Sequence, residues 1–65
     1  MTAEDFAAWI DHMKLSERKV AETLQLSRTT VAKYRREGAP VHIGLACAAL
    51  AFGLPEWRAV QTPND

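Results

Sequence analysis

Between Ser16 and Arg36, in SERKVAETLQLSRTTVAKYRR, hydroxyls and cations are spaced so that they could grip a nucleic acid. Arg28, Thr29, Thr30, Lys33 and Arg36 fall on the polar side of a predicted helix, while Val31 and Tyr34 supply its apolar side. A helix divided in this way suits a DNA major groove, where every base pair presents its own set of donors and acceptors. Side chains near the start of such a helix reach deepest, which marks Arg28 and Thr29; Lys33 lies about one turn beyond Thr29 on the same face. Arg28 is suited to bidentate bonding with guanine, worth roughly 1–3 kcal/mol of base discrimination, and Thr29 to a base edge or a thymine methyl. Phosphate contacts are expected from Thr30, Arg35 and Arg36. Ser16 and Ser27, each at the start of a helix, would add contacts at the positive helix ends, with Arg18 or Lys19 assisting.

Other chemistries find little support. Asp11 and His12 are neighbours, so on a helix they point about 100° apart and form no acid–base pair. No His or Lys converges on Ser16 or Ser27, which are better read as helix caps. Cys47 sits among alanines without cationic neighbours and is expected to be an inert core residue. His12 and His42 are isolated and expected at the surface. With one cysteine the chain forms no internal disulfide, and no set of ligands has zinc spacing. The expectation is a protein that is not an enzyme and holds no cofactor or metal.

The elements that must carry these side chains can be read from caps and periodicity. A helix over Glu17 to about Leu24, capped by Ser16, is followed by Gln25-Leu26-Ser27 and a second over Arg28 to about Glu37, capped by Ser27. A link of about three residues is the length that a helix-turn-helix uses. Val20, Ala21, Leu24, Leu26, Val31 and Tyr34 would form the inner faces. Ahead of this unit, Thr2 with Asp5 reads as a variant capping box for a helix from about Ala3 to Lys14, whose Phe6, Trp9, Ile10 and Met13 form a core stripe. Behind it, Gly38 suits a left-handed position ending the second motif helix, and Pro40 prevents its continuation. A last helix from about Val41 to Phe52 is apolar nearly all round, except for His42, and Gly53 and Pro55 close it. Such a helix must be covered on more than one side. A homodimer is therefore expected, built on Leu45, Ala48, Ala49, Phe52, Leu54 and Trp57. Trp57 is also expected to act as a lid, over the core between the first and last helices or across to the partner.

Sixty-five residues allow one domain with one small core. The expected division is a domain over 1–60 and a short disordered tail over 61–65. Net charge is zero, yet it is unevenly placed. From Lys14 to Arg36, seven cations against two carboxylates leave +5, residues 1–13 carry −3 and residues 37–65 carry −2. A basic middle between acidic ends allows one patch to face phosphates despite overall neutrality. The N-terminus has no basic-then-apolar signal pattern, and the apolar stretch from Ala39 to Leu54 is interrupted by His42 and falls short of the roughly 18–20 residues that cross a bilayer. A cytoplasmic location is expected, with no membrane partner.

The placement of Glu17, Ala21, Gln25, Leu26, Val31 and Tyr34 resembles the phage-repressor and Cro-like (XRE-type) helix-turn-helix regulators. In that family the first position is usually Gln and the turn position Gly. Here they are Glu17 and Gln25, so Gln25 has to adopt a left-handed backbone, at about 1–2 kcal/mol for a non-glycine residue. The segment from Val41 to Trp57 also looks like the C-terminal helix of small regulators of this type. The resemblance implies an all-α, lambda-repressor-like domain of four to five helices. It implies a regulator, most naturally a repressor of bacterial or phage origin, that reads a palindromic operator in double-stranded DNA through Arg28, Thr29 and Lys33. Two alternatives stand beside it: a helix-turn-helix module that binds another protein of the transcription machinery, such as an antiactivator, or an excisionase-like DNA-bending factor.

Overall fold

A computed structural model describes residues 1–59; the tail expected over 61–65 lies outside them. Four helices follow one another: α1 (Ala3–Met13), α2 (Glu17–Leu24), α3 (Arg28–Glu37) and α4 (Val41–Ala51), with no strand among the described residues. Among the described residues the expected four to five helices are four, and residues 54–59 form none.

Three of the four starts are set by hydroxyl caps. Asp5 N–H donates to Thr2 Oγ1 at 3.0 Å and Thr2 N–H to Asp5 Oδ2 at 3.1 Å, completing the capping box. The Thr2 backbone N–H, and after it the Thr2 side chain, hold the Asp5 carboxyl below its usual pKa. Lys19 N–H donates to Ser16 Oγ at 3.1 Å and Thr30 N–H to Ser27 Oγ at 3.0 Å. Each satisfies a first-turn donor that the helix itself leaves unpaired. α4 has no side-chain cap and starts directly after Pro40.

The ends correct the sequence reading by a residue. α1 stops at Met13 because Lys14 is left-handed (φ 55°, ψ 46°) and sends its N–H back to Ile10 and Asp11. α4 stops at Ala51, with Phe52 as its cap. Gln25 takes the left-handed conformation expected of it (φ 57°, ψ 48°), which turns the chain from α2 into α3. Gly38 differs from expectation: at φ 95° and ψ 170° it lies in an extended positive-φ region open essentially to glycine alone. The reason is the start of the chain, which runs alongside. Ala39 N–H donates to the Met1 carbonyl at 2.9 Å, and a Cβ on Gly38 would sit 2.8 Å from that carbonyl oxygen.

Phe6, Val20 and Val31 are fully enclosed, and Trp9, Ile10, Ala21, Ile43 and Cys47 complete the core. Burying an aliphatic or aromatic side chain of this size contributes roughly 1.5–3 kcal/mol each. The Phe6 ring stacks near Trp9 with centroids 6.0 Å apart and meets Tyr34 edge-on at 5.9 Å. Trp9 Nε1 donates to the Cys47 carbonyl at 2.9 Å and so fastens α1 to α4. Trp9 thus sits in the core as expected, whereas Trp57 is 87% exposed and is no lid over the core of its own protomer. Cys47 is buried and free, and burial pushes its thiol up to about 11, as fits an inert core residue.

Candidate nucleic-acid interface

α3 presents its outer face because Val31 and Tyr34 fix its inner one. Val31 is fully enclosed and Tyr34 half-buried against Phe6. On the opposite side Thr29, Lys33 and Arg36 recur at i, i+4 and i+7, all exposed, so they form a single stripe along the helix. Arg28, also exposed, flanks that stripe in the first turn. The structure thus brings together the three residues expected at bases and adds Arg36, which the sequence reading had set apart for phosphates.

The ion pairs divide the cations into two groups. Arg18 and Lys19 share one carboxylate, Glu22, at 3.7 and 3.6 Å. Arg36 lies 3.6 Å from its neighbour Glu37. Arg35 Nη1 reaches back to Glu17 Oε2 at 3.4 Å, linking α3 to α2. Arg28 and Lys33 have no such partner among the described residues, so the uncompensated positive charge of α3 sits where base contact was expected. Exposed pairs of this kind contribute about 0–1 kcal/mol and exchange readily for a phosphate. Arg18, Arg35 and Arg36 remain available, each after releasing a carboxylate.

The hydroxyls are arranged less simply than expected. Ser27 Oγ–H donates to Thr30 Oγ1 at 2.9 Å while it accepts from Thr30 N–H. Its proton is engaged, so Thr30, half-buried beside it, holds the hydroxyl proton free to donate at this helix start. Ser16 accepts from Lys19 N–H and keeps its own proton. Sequence reasoning missed the Glu17–Arg35 pair. The charges gave only part of the signal: a Glu opening one helix and an Arg late in the next meet only where the two helices pack so as to bring those ends together.

The residues expected at a dimer seam lie on α4 and the segment after it. Leu45, Ala48, Phe52, Leu54 and Trp57 are exposed and Ala49 half-buried. Among the described residues there is no cluster of His, Cys, Asp or Glu able to hold a metal, and no helix long and apolar enough to cross a membrane. The chain matches no protein-family model, no curated protein and no solved structure.

Proposed function

We propose that α2, the Gln25–Ser27 turn and α3 are a helix-turn-helix, and that the protein is a sequence-specific DNA-binding regulator of the XRE type. α3 lies in the major groove; Arg28, Thr29 and Lys33 contact bases, and Ser16, Thr30 and the paired arginines contact phosphates. The observation that carries the reading is the exposed stripe of Thr29, Lys33 and Arg36 flanked by Arg28, with Arg28 and Lys33 paired with no carboxylate among the described residues. A homodimer in the cytoplasm reads a palindrome whose half-sites are one DNA turn apart, roughly 34 Å. The regulator represses by occluding a promoter.

The test is electrophoretic mobility on DNA containing inverted repeats from upstream of the reading frame, with competitor DNA and a salt series. Binding that survives competitor, weakens with salt and is lost in Arg28→Ala with Lys33→Ala supports the reading. Unchanged binding in that double variant overturns it.

One observation favours a second reading, a module that binds another protein. Val41, Leu45, Phe52, Leu54 and Trp57 are all exposed, an apolar load that DNA contact leaves unexplained. If function survives the loss of Arg28 and Lys33 and is abolished by Leu45→Glu, the protein-binding reading replaces the first.

A further inference from the structure

The exposed apolar residues of α4 fall on one line. Val41, Leu45, Ala48 and Phe52 recur at i, i+4, i+7 and i+11, on the side away from the buried Ile43 and Cys47. From Gly38 to Pro55 the chain has no Asp, Glu, Lys or Arg. Two copies of this face can therefore meet without like-charge repulsion. Beyond α4, Leu54 and Glu56 turn towards α2 and line an open groove of about 330 Å3, whose floor is Leu24, Ala46, Ala49 and Leu50. Trp57, the next residue, turns away and is 87% exposed. The chain thus carries both a groove with an apolar floor and an unseated indole beside it.

We propose that a second copy of this chain covers this face in a two-fold interface, with Trp57 of each protomer seated in the partner's groove between α2 and α4. The two-copy state comes from the operator reading above and the proposal rests on it; the interface itself forms without DNA. A second copy is the occupant that fits, because two-fold symmetry fills both grooves with both indoles in one step. The groove matches an indole chemically. Its floor is aliphatic, while Thr23, Gln25 and Glu56 place polar atoms among its walls, where an indole N–H finds an acceptor. The area also suffices. Val41, Leu45, Phe52, Leu54 and Trp57 are each 60% exposed or more. With an aromatic side chain supplying roughly 150–250 Å2, the five together offer on the order of 700–800 Å2 per protomer. A stable interface of standard size buries about 800 Å2 per partner.

The experiment uses DNA-free protein, sedimentation velocity across a concentration series, and the emission of Trp57 alone in a Trp9→Phe background. A dimer whose Trp57 emission shifts to the blue as it assembles is expected. Trp57→Ala should weaken association at least ~30-fold, as loss of an interface hot spot does. Helical circular dichroism should be unchanged, since Trp57 supports nothing within the protomer. Ala46→Leu with Ala49→Leu, which fills the groove from its own side, should weaken association while Trp57 stays water-exposed. A monomer at all concentrations overturns the proposal, and so does a dimer in which Trp57 remains water-exposed. The two readings separate on a single operator half-site: Trp57→Ala keeps α3 and its affinity for the half-site, whereas loss of half-site binding in wild-type protein sinks the DNA reading alone.

Discussion

Glu17 Oε2 lies 3.4 Å from Arg35 Nη1, so the first residue of α2 holds an arginine near the end of α3. The side chains are 41% and 42% exposed, and a pair so wet contributes at most about 1 kcal/mol. Its larger effect is to neutralise one of the cations that flank the stripe on α3. Glu17→Gln should therefore leave stability within about 0.5 kcal/mol. It should raise non-specific affinity for duplex DNA and steepen the dependence of log K on log salt by up to about one. Thermal melts and salt-dependent titrations check both; an unchanged slope means that Arg35 stays away from phosphate.

Gly38 and Gly53 both have positive φ, yet only Gly38 is crowded. Gly38→Ala places a Cβ 2.8 Å from the Met1 carbonyl and takes a conformation that costs a side chain about 1–3 kcal/mol. Gly53→Ala meets nothing within 4 Å and should lose only about 1–2 kcal/mol, from its φ alone. Urea denaturation of the two variants should rank them in that order. Equal losses would mean that the start of the chain does not pack against Gly38.

Lys14 and Gln25 are the non-glycine residues with positive φ among those described. Replacing either by glycine relieves about 1–2 kcal/mol of backbone strain and returns roughly 0.5–1 kcal/mol through unfolded-chain entropy. A net gain of about 0–1.5 kcal/mol, up to several degrees in Tm for a domain of this size, is expected from Lys14→Gly and from Gln25→Gly. A fall in Tm for Gln25→Gly would indicate that its side chain does more than occupy the turn.

Much of this fold could be read from short-range chemistry. Thr2, Ser16 and Ser27 mark three helix starts because a capping hydroxyl acts within three residues of itself. The left-handed turn at Gln25 followed instead from the resemblance, since Gln25 stands where the family usually has glycine. Gly38 was misjudged because its conformation answers to Met1, far away in the chain. Trp9 was legible from the helical stripe it shares with Phe6, Ile10 and Met13, whereas nothing near Trp57 in the sequence says that it closes no part of its own protomer. For the candidate site, the exposed residues of α3 followed from periodicity. Which cations carry a carboxylate partner depended on how α2 crosses α3, and that is settled by packing.

Cys47 has a thiol raised to about 11 by burial, and an unfolded cysteine ionises near 8.5. Its neutral form is favoured in the folded state, so its contribution is intact below about pH 8.5 and is lost progressively as the pH climbs towards 11. Wild-type protein should lose more stability between pH 8 and pH 10 than Cys47→Ala does. Denaturant titrations at the two pH values compare the differences; parallel losses would place the thiol in contact with water. At pH 8, a thiol reagent should label native Cys47 only as fast as the domain opens.

Met1 to Ala39 and Trp9 to Cys47 are bonds between residues 38 apart in sequence, and each ties the α1 end of the chain to a segment that follows α3. α2 and α3, by contrast, are joined by a three-residue link and can dock as a local unit. Docking of α1 closes loops of 38 residues and brings Phe6 onto Tyr34, so loop-closure entropy makes it the slower step expected in assembly. Until then, the α2–α3 pair has its outward cations but not its full foundation. The seating of α3 therefore depends on segments that lie on either side of it in the sequence, Phe6 and Trp9 before it and Ala39 and Cys47 after it.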